Sequence, residues 1–239
     1  RRFLDYDSMI IREQDMQEAN SVLDLLYDQR SKEICKSIIQ KRINKEMDYS
    51  DLAKEVSQQY FDDEIVSCQI NESFVDAGAF DGATSVEFAK WAKKGYEKIV
   101  IYEPMKENIV NVEHTVRNLK NVEIHNKALW NKKELLQFSF DGAGSSIDEN
   151  GMTVEAEPLD PDSKVTFVKM DIEGAEMNAL EGMKSIIMEQ KPKLAICIYH
   201  LYDDLWNIPK YIHELVPEYK LYMRHYSKIN EETVIYAIL

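Results

Sequence analysis

The sequence predicts an α/β fold: a mainly parallel sheet with helices on both faces, closed by an antiparallel C-terminal hairpin and preceded by a small N-terminal helical region. Three observations predict it. From Glu72 onward, short apolar runs rich in β-branched residues alternate with segments whose apolar residues recur at helical spacing. The first run passes directly into a glycine-containing loop and a helix start, ESFVDAGAFDGATSVE over residues 72–87. The last two extended runs, 219–223 and 233–238, are joined by a short polar turn, which demands antiparallel pairing because a parallel pair needs a crossover.

Residues 1–70 are polar and lack glycine. Val22, Leu25 and Leu26, then Cys35, Ile38 and Ile39, then Leu52, Val56 and Tyr60 recur at helical spacing and predict three amphipathic helices. This region is either packing scaffold or a cap over the substrate pocket. Tyr60 and Phe61 are the part expected to face the site, since they lead into the first strand. In residues 71–239 the second strand is 98–102, ended by Glu103 and Pro104. A helix with Ile109, Val112, Val116 and Leu119 on one face follows, and 121–124 form a third strand. Residues 133–157 break the rhythm and read as a β-hairpin excursion with a mobile glycine-serine loop. A fourth strand, 165–170, ends at Asp171. A helix with Met177, Leu180, Ile186 and Ile187 leads to a fifth strand, 194–199, ending at His200. The next helix carries Leu205, Ile208, Ile212 and Leu215 and stops at Pro217.

The loop after the first strand is where chemistry enters. Thr84 with Glu87 three residues on has capping-box spacing and predicts the helix start. Strand, glycine loop and helix N-terminus in that order suit a nucleotide-type ligand. A dinucleotide loop, G-x-G-x-x-G, needs its second glycine for a pyrophosphate to approach, and here that position is Phe80. Asp76 and Asp81 would repel phosphates but suit a ligand carrying an ammonium and a sulfonium, as S-adenosylmethionine does. The competing reading is an ordinary strand-to-helix turn with Gly78 at positive φ. Glu103, 27 positions after Asp76 at a strand end, can accept hydrogen bonds from both ribose hydroxyls or can be a solvated carboxylate.

Asp171 and Glu173 stand at the C-terminal end of the fourth strand, where open α/β sheets bind ligands. They point the same way only if strand conformation persists through Ile172. Either faces the crevice, or caps the helix that follows Gly174. His200 opens onto the same crevice, as a base for a hydroxyl proton or as a satisfied structural histidine. Asp171, Glu173 and Asp203 have no metal-specific spacing, so no metal is expected.

The balance is acidic, 43 Asp and Glu against 29 Lys and Arg for a net charge of −14, which disfavours nucleic acid as a partner. Three cysteines, Cys35, Cys68 and Cys197, lie far apart and suggest neither disulfides nor zinc. A reducing, cytoplasmic setting is the expectation. No apolar run approaches the roughly 18 residues of a membrane span, and no signal-peptide core is visible, although a start at Arg1 leaves upstream sequence open.

Taken together, FVDAGAFDGATS, VIYEP, NKALW, VKMDIEGAE and LAICIYH resemble the FkbM family of S-adenosylmethionine-dependent methyltransferases, in order from about Tyr60 to the C-terminus. The resemblance implies a class I methyltransferase (Rossmann-like) domain over 71–239. It also implies methyl transfer, in this family usually to a hydroxyl oxygen of a sugar or natural product. Matched by position, Asp76, Gly78, Ala79, Phe80 and Asp81 form the first cofactor motif, and Glu103 with Pro104 the ribose-binding end of the second strand. Asn126, Lys127 and Ala128 form the adenine-side loop, and Asp171 is the acid at the reaction centre. Ser145 and Ser146 fall in a loop that in similar sequences lies close to the cofactor. Asp171 or His200 is expected to take the acceptor's proton, the acceptor being a small molecule or carbohydrate. The alternatives are a non-catalytic S-adenosylmethionine-binding protein and a nicotinamide-dependent oxidoreductase, which Phe80 and the antiparallel ending oppose.

Overall fold

The computed structural model describes residues 9–140, 145–147 and 152–239. Two helices, α1 (Met16–Ser21) and α2 (Gln29–Asn44), precede strand β1 (Glu72–Ala77). There follow α3 (Ala83–Trp91), β2 (Tyr96–Tyr102), α4 (Lys106–Val116) and β3 (Val122–His125). The excursion comprises β4 (Ala128–Leu129), β5 (Glu134–Phe140), β6 (Ser145–Ile147) and β7 (Met152–Glu157). The chain then runs through β8 (Phe167–Met170), α5 (Glu176–Gly182), α6 (Lys184–Gln190), β9 (Lys193–Cys197), α7 (Asp204–Leu215), β10 (Lys220–His225) and β11 (Thr233–Ile238).

Seven strands form the central sheet in the order β10-β11-β9-β8-β1-β2-β3. β1, β2, β3, β8 and β9 are parallel, while β11 runs antiparallel to both β9 and β10. This is the class I methyltransferase sheet, with its last strand inserted between β9 and β10. Side chains alternate between two core layers, as a period of two requires. Phe74, Ile99 and Phe167 face α3 and α4, and Val75, Val100 and Val168 face the layer that holds α1, α2 and α5–α7. On the first face Phe74 and Phe88 stack at 4.2 Å, with Phe61, Trp91 and Phe167 packed around them. Each buried ring contributes about 1.5–3 kcal/mol.

The N-terminal region is less helical than its spacing predicts. α2 forms as expected: Asp28 accepts from the Ser31 amide at its start, Ile34, Cys35, Ile38 and Ile39 are buried, and Lys45 ends it in the left-handed region. Residues 52–60 are not a helix and contain only one 3-10 turn, Val56–Gln58. The chain there bonds to the sheet edge instead, Lys54 N–H donating to the His225 carbonyl, as Tyr27 N–H does to Leu221. An edge strand left open invites unwanted pairing, and these contacts cover β10.

Two further helical expectations change. The Thr84–Glu87 capping box does not form: α3 begins after Gly82 at φ +81, and Asp81 accepts from the Ala83 amide. The helix expected across 177–187 is broken at Met183 into α5 and α6. Gly182 lies at the break, so close to β4 that a Cβ there would overlap the Trp130 carbonyl. The excursion does pair β5 with β7 antiparallel, but it builds a separate four-stranded sheet, β4-β7-β5-β6. Leu136, Val154 and Ala156 of that sheet pack against Ile172 and Ala175, beside the end of β8. The expected mobile glycine-serine loop falls outside the described residues, as do the side chains of Ser145 and Ser146.

Candidate active site

Gly78, directly after β1, is where the site's two halves meet. At φ +77 it lies so close to β8 that a Cβ would overlap the Asp171 carbonyl oxygen, and Asp171 N–H donates to the Ala77 carbonyl at 3.1 Å. No other residue type fits there. Ala79 is buried and its carbonyl accepts from Gly82 N–H, closing the loop. Phe80 also adopts the left-handed region, at φ +53, and leaves its ring 68% exposed.

The aspartates of this loop do not present themselves to a cationic ligand as expected. Asp76 is fully buried, accepts from Ser85 Oγ at 2.7 Å, and lies 3.2 Å from Lys169 Nζ, its register partner on β8. Lys169 also donates to the Ala77 and Gly78 carbonyls. Burial opposes the ammonium, but Asp76 and Asp171 outweigh it and hold its pKa above the ordinary lysine value. Asp81 is exposed and occupied with the start of α3.

Glu103 follows β2 and is buried. Its Oε2 accepts from Phe80 N–H at 2.9 Å, and its Oε1 from Met105 N–H at 2.9 Å and Asn108 Nδ2 at 3.2 Å. Burial raises its pKa against these donors. A carboxylate offers about four acceptor positions. The chain's own donors fill three of them. Asn126 Nδ2 donates to the carbonyls of Glu103 and Pro104, tying the end of β3 to that of β2. Lys127 turns to Glu157 at 2.6 Å, and Ala128 pairs with Ala156 in the second sheet.

At the ends of β8 and β9 a cluster of carboxylates surrounds one imidazole. His200 is buried, with Nε2 3.3 Å from Asp171 Oδ1 and 3.7 Å from Glu173 Oε2, and Nδ1 2.8 Å from Glu176 Oε1. These are ion pairs; neither ring nitrogen makes an aligned hydrogen bond. Burial disfavours the charged ring, but Glu176 and Asp171 overcome it and lift the pKa well above the ordinary value. The flanking carboxylates thus favour the protonated ring, which argues against removal of a proton by a neutral His200.

Asp171 is held by donors on both oxygens. Tyr60 OH donates to its Oδ2 at 3.0 Å and Tyr199 OH to its Oδ1 at 3.2 Å. Burial alone would raise it, yet His200, Lys169 and Tyr60 hold it far below the usual carboxylate range. Glu173 reaches His200 without strand alternation: β8 ends at Met170, and a left-handed Glu173 at φ +59 swings the side chain back. Glu176 does the capping, accepting from the Ile172 and Gly174 amides. Asp203 turns away to Asn207.

Tyr60 reaches the site as expected, whereas Phe61 lies in the aromatic layer. Sequence reasoning missed Lys169, Glu176, Tyr199 and Glu232. For Lys169 a signal exists, a lysine within the apolar run of β8. The others converge only through the turns that bring them together.

A family model described as the methyltransferase FkbM domain matches residues 76–228. Among solved structures the chain is similar to a methyltransferase FkbM from Methylobacillus flagellatus KT, with TM-score 0.82 and 23% identity over 94% of this chain and 59% of that one. This chain thus spans 59% of the length of that protein. It is also similar to an rRNA methylase from Streptococcus thermophilus, with TM-score 0.46 and 14% identity over 96% of both chains. A third likeness is to Aeropyrum pernix fibrillarin in complex with natively bound S-adenosyl-L-methionine, with TM-score 0.43 and 10% identity over 71% of this chain and 67% of that one. Comparison with curated protein sequences finds no match. Among the described residues no helix is long and apolar enough to cross a membrane. The matched region covers more than half of the sequence and runs from Asp76 in the cofactor-loop motif past His200, and so the chain belongs to the FkbM methyltransferase family.

Proposed function

We propose that this chain is an S-adenosylmethionine-dependent methyltransferase acting on a hydroxyl oxygen of a sugar or natural-product acceptor. The observation that carries this reading is the close approach of Gly78 to Asp171, which brings the glycine loop and the carboxylate cluster together. They meet at the C-terminal ends of β1, β8 and β9, where open α/β sheets hold ligands. Family membership supports methyl transfer, and the acceptor class rests on the family resemblance.

The residues fit the cofactor. Glu103 keeps one acceptor position for a ribose hydroxyl, and Gly78 and Gly82 let the loop pack tightly on Asp171 and on α4. When bound, S-adenosylmethionine supplies an electrophilic methyl group on a cationic sulfur. Asp171 supplies a fixed negative charge, held in place by Tyr60, Tyr199 and His200. A fixed charge of this kind binds and orients a cation; it does not by itself lower the barrier, because the cation is lost in the transition state. Positioning of the acceptor oxygen in line with the methyl group supplies much of the rate.

The test is to incubate the protein with S-adenosylmethionine and a panel of hexosides, uronosides and polyhydroxylated natural products, and to measure S-adenosylhomocysteine. The expected product carries its new methyl on oxygen, as carbon NMR reports. Stabilisation of the fold by NAD and not by S-adenosylmethionine would overturn the cofactor, and a methyl group on nitrogen or carbon would overturn the acceptor class.

A further inference from the structure

Glu173 stands in the left-handed region immediately before Gly174 at φ +92. A side-chain-bearing residue is strained in this conformation, and such strain persists where the surroundings over-determine it, commonly at functional sites. The surroundings here are specific. Glu176 holds the amides on either side of Glu173, and a Cβ on Gly174 would press on Leu201 at 3.0 Å. The turn thereby carries the Glu173 carboxylate to 3.7 Å from His200 Nε2 while leaving it partly exposed.

We propose that Glu173 is the catalytic base of the methyl transfer, an inference that rests on the reading of the preceding subsection. Its carboxylate receives the acceptor's hydroxyl proton as the acceptor oxygen bonds to the methyl carbon. The carbon–sulfur bond breaks in the same step, and its electron pair returns to sulfur to leave neutral S-adenosylhomocysteine.

The other members of the cluster are already committed. Both Asp171 oxygens accept hydrogen bonds from phenols, and His200 holds its proton between Asp171 and Glu176. Glu176, from α5, is fully buried with both oxygens on backbone amides. Glu232, from the β10–β11 turn, accepts from Gln59 Nε2. Asp204, from α7, is buried and accepts from Leu201 N–H. Glu173 is the most open of those facing His200: its side chain is 36% exposed, against 23% for Asp171 and none for Glu176.

Its environment suits the task. Burial is the main cause that lifts Glu173 to about 7, with Asp171, Glu176 and Glu232 pushing the same way and His200 opposing. A base is most effective when its pKa lies near the working pH. Asp171, held low, would be too weak.

S-adenosylmethionine and S-adenosylhomocysteine differ in charge only at sulfur, so the ratio of their affinities reads the charge beside the reacting methyl group. Calorimetric titration of the parent chain with each, from pH 5.5 to 8.5, is expected to show S-adenosylmethionine gaining on S-adenosylhomocysteine as Glu173 ionises. The sulfonium lowers the pKa of the cofactor's own α-ammonium, so the slope assigned to Glu173 is the difference between the ratio profiles of the parent and Glu173→Gln, in which the cofactor's own titration cancels. Glu173→Gln should flatten the profile and bind S-adenosylhomocysteine as the parent does, and Glu173→Asp should restore part of the slope. With the acceptor that turns over fastest in the panel above, Glu173→Gln should lower turnover roughly 100-fold or more and remove the pH limb. A flat ratio in the parent, or an unchanged slope or turnover in Glu173→Gln, overturns Glu173 as the base while leaving the cofactor reading intact. If neither compound binds the parent chain, the cofactor reading fails and takes this inference with it.

Discussion

Lys169 Nζ donates to the Gly78 carbonyl across 2.6 Å, so a fully buried lysine on β8 holds the loop that leaves β1. The same ammonium lies 3.2 Å from Asp76 Oδ1 and neutralises that buried carboxylate. Removing one partner of a buried pair strands the other, at about 3–5 kcal/mol. We predict that Lys169→Met lowers the melting temperature by roughly 6–20 °C for a chain of this size. Adding Asp76→Asn should recover part of the loss. A Lys169→Met variant that melts with the parent would show that the pair carries no stability.

Glu103 joins the same loop from the other side through Phe80 N–H. Glu103→Ala removes a possible ribose acceptor and frees two backbone amides together. Charge-assisted hydrogen bonds are worth about 1.5–3 kcal/mol, so cofactor affinity should fall by roughly one to two orders of magnitude. The melting temperature without ligand should fall as well. Calorimetry against S-adenosylhomocysteine checks the first and thermal unfolding the second. Loss of stability with unchanged affinity would leave Glu103 a loop anchor only.

His200 and Glu173 both lose stability as pH rises, but in different windows. The folded pKa of His200 is raised, so its contribution is fully present below about 6.5, its unfolded value, and is lost as pH rises through the folded value well above. Parent minus His200→Gln stability, from denaturant unfolding, should therefore be constant in mild acid and shrink in alkali. The folded pKa of Glu173 is also raised, but for an acid this means ionisation opposes folding. The parent should lose stability relative to Glu173→Gln as pH rises from about 4.5 to about 7, and hold level above. A parent that instead gains on Glu173→Gln across that window would contradict the buried setting of the carboxylate.

Glu173→Gly offers a test of strain against function. Glycine adopts positive φ without penalty, so the variant should unfold at a temperature equal to or higher than the parent's, by the equivalent of about 1 kcal/mol. It should also lose turnover. A stabilised, inactive protein is the signature of strain retained for chemistry; a destabilised one would show that the carboxylate itself holds the turn.

The sequence by itself determined the order of the elements. The alternation from Glu72 onward, the loop at Gly78, the acid ending β2 and the short terminal turn are local signals, and β1, β2, β3, β8, β9 and the β10–β11 hairpin form close to where they are read. Family motifs spanning the same residues made the fold class legible too. Where local signals were weak or outcompeted, the reading failed. Residues 52–60 have helical spacing, but their backbone finds partners on the edge of β10. Thr84 has cap spacing, but Gly82 and Asp81 already start α3.

Only the tertiary structure decided which group carries which charge. Asp171, Glu173 and His200 are legible as titratable residues near strand ends, yet their protonation depends on partners far away in sequence. Lys169 answers Asp76 from the neighbouring strand, Tyr60 and Tyr199 reach Asp171 from two other elements, and Glu176 returns from α5 to hold His200 charged. In a low-dielectric interior a pKa is set by the nearest charges and by desolvation, and both are properties of the packed chain. That is why the sequence left Asp171 and His200 as rival candidates, while the charges that favour an ionised Asp171 and a protonated His200 come from Lys169, Tyr60 and Glu176, which only folding brings to them.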